Sequence, residues 1–132
     1  MFSIKPFISI CLASTFATMA QAQSDMPVGL WRSAPDDSGL VVHVRTRACG
    51  ASLCGMVERA KDRRGYDTPS SVVGSKVMWD LKPQPDGSYA GQFREPVRGK
   101  AVPVNLKVQG NKLWLRGCDA GACRDAVWTR LR

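Results

Sequence analysis

The chain has 132 residues, with 19 lysines and arginines against 11 aspartates and glutamates, one histidine and a formal net charge of +8 at pH 7. That length fits one small domain. With one histidine a histidine-rich metal centre is excluded, and no G-x-S-x-G, H-E-x-x-H or P-loop is present.

The first 22 residues read as a secretory signal peptide. Lys5 supplies the positive start, Phe7 to Phe16 is apolar, and Ala20-Gln21-Ala22 is a small-residue cleavage signal. A membrane anchor needs about 20 apolar residues, and no segment is that apolar over that length. The expectation is cleavage after Ala22 and a periplasmic protein of residues 23–132, with no transmembrane segment. Export also disfavours nucleic acid as a partner. Removal of Lys5 leaves a formal charge of +7.

Beyond the leader the chain alternates with a period of two. In "AVPVNLKVQ", Val102, Val104, Leu106 and Val108 share one face, and Pro103, Asn105, Lys107 and Gln109 share the other. Such alternation predicts a strand with one buried face. Read throughout, it predicts eight strands, at 28–33, 39–47, 53–60, 73–81, 88–94, 101–109, 112–118 and 123–131. Pro103 lacks a ladder donor and marks an irregular or unpaired point. "PDDSG", "PQPDG", "GN" and "DAG" supply turn chemistry between strands. No amphipathic helix, repeat or linker is evident.

Eight short strands joined by tight turns predict an all-β, antiparallel up-and-down barrel, because closure removes the exposed edges. In that topology alternate connections lie at the same end. One end collects residues 34–38, 61–72 and 95–100 with the "CDAGAC" turn. These segments carry Arg64, Tyr66, Arg98 and Lys100, so a basic mouth is expected there.

Four cysteines remain after the leader: Cys49 and Cys54, and Cys118 and Cys123. An even number in a small exported domain points to disulfides. Three pairings are open, and proximity favours the two local ones. A zinc site or a redox pair is the alternative reading. The spacing lies at the edge of the zinc range, and no C-x-x-C is present.

Gly29-Leu30-Trp31, "ACGASLCGMV", "EPVRGK", "LWLRGC" and the closing "VWTR" occur in an order and spacing that resemble the small bacterial exported proteins grouped as domain of unknown function 2147. The resemblance spans nearly the whole mature chain and implies a lipocalin-like barrel that holds an unidentified ligand. Similarity to lipocalins more broadly implies that Trp31 and Arg130 pack together at the closed end, with Gly29 and Trp128 also serving barrel closure.

The functional expectation is a non-enzymatic binding protein that needs no cofactor or metal. A small amphipathic or acidic molecule, or an acidic envelope component, is the expected partner. Trp79, Tyr89, Phe93 and Trp114 are expected as apolar wall, and Arg64, Tyr66, Arg98 and Lys100 as the rim. His43 shares a polar strand face with Arg45 and Arg47, where a surface role is expected. The rival reading is a protein–protein or inhibitor module acting through basic loops or an outer apolar patch. The phase of Trp114, opposite to Leu113 and Leu115, hints at such a patch. A third reading is attachment to anionic envelope polymers.

Overall fold

The computed structural model describes residues 26–96 and 99–132, together with 11, 13 and 14. The expected cleavage site after Ala22 and the rim residue Arg98 lie outside the described residues.

Eight strands form in chain order: β1 (Gly29–Arg32), β2 (Val41–Cys49), β3 (Ser52–Lys61), β4 (Lys76–Pro83), β5 (Tyr89–Arg94), β6 (Ala101–Gln109), β7 (Lys112–Asp119) and β8 (Ala122–Arg130). Each pairs antiparallel with the next, and β1 pairs with β8, so the sheet closes into an up-and-down barrel. The expected architecture is therefore the observed one. The chief boundary difference is β4, which starts at Lys76 rather than at residue 73. The backbone N–H of Ser75 donates to the carbonyl of Val72, and that of Gly74 to Val57, so 72–75 make a turn before the strand begins.

The alternation sets the core. Val42 and Val44 on β2, Val57 on β3, Val104, Leu106 and Val108 on β6, and Leu113 and Leu115 on β7 are all buried. Pro103 pairs with Gln92 of β5, but the β6–β7 ladder starts only at Val104. The missing donor thus falls where the second ladder has not begun.

Register shifts on three ladders are superimposed on this pattern. The β2–β3 ladder shifts between His43 and Val44, the β3–β4 ladder around Gly55, and the β4–β5 ladder between Trp79 and Lys82. At the last of these Asp80 adopts a φ of 53°. A bulge of this kind adds a residue to one strand and re-aims the side chains beside it. Opposite it, a Cβ on Gly91 would lie 2.7 Å from the Trp79 carbonyl oxygen. A side chain there would collide with the bulged backbone.

One end of the barrel is sealed. Trp31 is completely buried, and its indole N–H donates to the carbonyl of Pro27 and to the hydroxyl of Thr46, both at 3.1 Å. Thr46 Oγ1 in turn bonds the Pro27 carbonyl and accepts from the Gly29 N–H. The Arg130 guanidinium carbon stands 4.2 Å from the centre of the Trp31 ring. Arg130 Nη1 also donates to the Val28 carbonyl at 2.6 Å. Gly29 is held at a φ of 147°, where a Cβ would lie 2.5 Å from the Arg132 carbonyl oxygen. Only glycine fits between the crossing termini.

The two bridges join Cys49 to Cys54 and Cys118 to Cys123, the local pairing. They clip the β2–β3 hairpin at the sealed end and the β7–β8 hairpin at the opposite end. Each closes a loop with a sequence separation of 5. Reduction is expected to lower stability by about 2 kcal/mol per bridge, because short loops restrict the unfolded chain least. Urea unfolding with and without reductant measures this.

Candidate functional site

The end opposite the Trp31 seal is open. A cavity of about 620 Å³ enters the barrel between the β1–β2, β5–β6 and β7–β8 connections. These are three of the four connections expected to share an end. Its wall is apolar: Leu40 and Val42 from β2 and the turn before it, Phe93 from β5, Val102 and Val104 from β6, and Leu115, Ala126 and Trp128 from β7 and β8. Phe93 and Trp128 meet edge to face with ring centroids 6.1 Å apart. Below them the interior is filled by Trp31, Val44, Val57, Met78, Leu81, Leu106 and Leu113. The barrel is thus solid in its lower half and hollow in its upper half.

The fourth connection reaches this end but stays beside the cavity. Arg63 Nη2 donates to the Ser38 carbonyl at 3.3 Å, tying the 62–75 segment to the β1–β2 turn. Asp62 accepts from the backbone N–H groups of Arg64 and Tyr66, which shapes the turn. Arg64 and Tyr66 project into solvent and do not line the cavity.

The charges at the mouth differ from expectation. The described lining holds the carboxylates Asp36, Glu95, Asp119 and Asp125 and the cations Lys100 and Arg124. Among the described residues the lining holds more carboxylates than cations, where a basic mouth is expected, because carboxylates from three connections converge there; Arg98 lies outside the described residues. Most are engaged. Asp36 accepts from the N–H groups of Ser38 and Leu40, each at 2.9 Å, and from the Ser38 hydroxyl. Partial burial works against its ionisation. These hydrogen bonds outweigh that and hold the carboxyl below the usual aspartate value. Asp119 pairs with Lys100 at 2.9 Å, and Asp125 with Arg116 at 3.5 Å. Glu95 and Arg124 make no ion pair with another described residue. Arg124 stands opposite Gly117, on the inward phase of β8.

Of the expected wall, only Phe93 lines the cavity. Tyr89 faces inward but pairs with Leu106 in the filled half. Trp79 and Trp114 are corrected to the outer face. Trp114 is 46% exposed, because its strand neighbours Leu113 and Leu115 take the interior. Trp79 pairs with Gln92 on the outward phase, and the Arg94 guanidinium stands 5.4 Å from its ring centre. Trp128, expected only to close the barrel, is part of the cavity wall. Arg124 was missed by sequence reasoning, although the alternation that places Trp128 inward also places residues 126 and 124 inward.

From the first residue of β1 to the last of β8, residues 29–130 match the family described as "Uncharacterized protein conserved in bacteria (DUF2147)". The chain belongs to this family. Neither the curated proteins nor the solved structures yield a match. In this DUF2147 protein the matched region coincides with the barrel strands, so Trp31, Thr46 and Arg130 of the seal and the cavity wall lie within family sequence. Among the described residues no group of three or more histidine, cysteine or acidic side chains is placed to hold a metal ion.

Proposed function

We propose that this protein is an exported, non-enzymatic binding protein, acting in the periplasm, that holds a small amphipathic molecule in the open half of the barrel. The observation that carries this reading is the cavity itself, of about 620 Å³ with an apolar wall and a charged rim. That size lies within the range of about 300–1,000 Å³ found for small-molecule sites. The apolar body of the ligand packs against Phe93, Trp128, Val104 and Leu115. Its head carries an acidic group toward Arg124 and a hydrogen-bond donor toward Glu95, rim charges that make no ion pair with another described residue. Arg124 is solvent-exposed at the rim on the inward phase of β8, where a charge-assisted hydrogen bond to an anionic head would add to the apolar packing below it.

Native mass spectrometry of the protein purified from its own periplasm tests the reading. Extra mass that survives desalting and leaves on denaturation is expected. A clean polypeptide mass that co-purifies with another protein would instead favour an interaction module, for which the exposed Trp114 is the supporting feature.

A further inference from the structure

The net positive charge of the chain does not sit at the cavity, and the strand registers show where much of it lies. Arg32, His43 and Arg59 stand side by side across β1, β2 and β3 on the outward phase. Arg45 and Arg47 follow on β2, and Lys61 lies on β3. Lys76 of β4 extends the face through its pairing with Met56, which itself pairs with Arg45. These six cations face two carboxylates, Glu58 and Asp67. Glu58 is taken up by Arg45, and Asp67 is shared by Lys61 at 2.7 Å and Arg59 at 3.4 Å. Arg32, Arg47 and Lys76 make no ion pair with a described carboxylate.

His43 sits inside this field and reports it. Partial burial, then the charges of Lys61, Arg32 and Arg59, push its imidazole pKa below the ordinary histidine value.

We infer that the outer face of β1–β3 is a second binding surface, and that its partner is a linear anionic polymer. Charges on neighbouring strands stand about 5 Å apart and those along a strand about 7 Å apart, a density suited to repeated anionic groups. The wall of a barrel is convex. A flexible chain follows it across three strands, whereas a flat lipid surface touches it along little more than one. The apolar residues on this face, Val41 and Met56, are half-buried between the charged side chains, so no exposed apolar anchor for insertion or for a protein interface is described there. The exposed large apolar residues Met26, Val28, Tyr66, Val73, Trp114 and Leu131 all lie off the outward positions of these strands. The opposite outer wall carries cations too, but neutral side chains such as Asn105, Gln109, Trp114 and Thr129 separate them.

The test uses fluorescently labelled dextran sulfate, with binding followed by anisotropy at about 50 mM and about 200 mM salt. Binding by the wild-type protein that weakens steeply with salt is expected. The variant R32Q/R47Q/R59Q is expected to lose at least about tenfold in affinity. The control K82Q/K107Q/K112Q removes the same charge from other strands and is expected to lose less than about twofold. Equal losses in the two variants would overturn the inference, since net charge alone would then explain binding. It is also overturned if the wild-type protein ignores the polymer, or binds only vesicles containing phosphatidylglycerol. Urea midpoints of the same variants within error of wild type show that they are folded, whether or not the cavity takes up a probe. They also keep this outcome separate from the fate of the proposed ligand site.

Discussion

Replacing Trp31 with alanine is expected to destabilise the protein by about 3–5 kcal/mol, the range for removing a fully buried aromatic side chain. Single domains of this kind are stable by only about 5–15 kcal/mol, so much of the folded margin would go. The reason lies in how many elements meet on one side chain. The indole fills the sealed end, donates to Pro27 and Thr46, and carries the Arg130 guanidinium on its face. Its loss opens a void and also leaves Thr46, buried at 1% exposure, with one partner fewer. Arg130→Lys separates the contributions. Lysine keeps the charge but loses the planar stack and the forked donation to Val28 and Met26. A smaller loss of about 1–2 kcal/mol is expected for it. Urea midpoints of the two variants measure both. A Trp31→Ala midpoint within error of wild type would mean that the seal is not a stability element.

The second large effect concerns the open half. Ala126→Trp is expected to abolish ligand uptake while leaving stability within about 1 kcal/mol of wild type. Adding bulk to a filled core is destabilising, but Ala126 borders an existing cavity that has room for an indole. With dansyl-undecanoic acid as probe, fluorescence enhancement should fall by at least about tenfold in affinity if the cavity is the site. Arg124→Gln should keep the cavity but remove the preference for the acid over a matched alcohol, because a neutral amide forfeits the charge-assisted bond. Unchanged affinity in Ala126→Trp would move binding out of the barrel and sink the proposal. Unchanged acid preference in Arg124→Gln would leave the cavity but reassign the head-group contact.

These two positions lie at opposite ends of one barrel and differ in how visible they were beforehand. Trp31 and Arg130 stood out through resemblance, and the β1–β8 pairing places them opposite each other. Arg124 follows from alternation once Trp128 is known to face inward. Nothing local to β8 says which phase that is, since Val127 and Asp125 alternate with Trp128 and Arg124 equally well.

The sequence alone determined the number of strands, their order and six of the seven connections to within a residue or two, and it favoured the local pairing of the cysteines among three. Each is a short-range property. A strand announces itself by alternation over a few residues, a turn by its glycines, prolines and aspartates, and a short bridge by proximity. Tertiary structure decided the rest. On β7 Trp114 shares its phase with Lys112 and Arg116, and packing of Leu113 and Leu115 against Trp128 and Leu106 sets that charged phase, with its tryptophan, on the outer face. On β4 the bulge at Asp80 moves Trp79 to the outer face, and a bulge requires knowledge of the partner strand. The placing of the described charges at the mouth was decided in the same way. Asp36, Glu95, Asp119 and Asp125 are far apart in the chain, and barrel closure brings them to one rim and leaves Arg32, Arg47 and Arg59 on the outer wall. Charge composition is additive along a sequence, but the potential at a site depends on which charges the fold brings together.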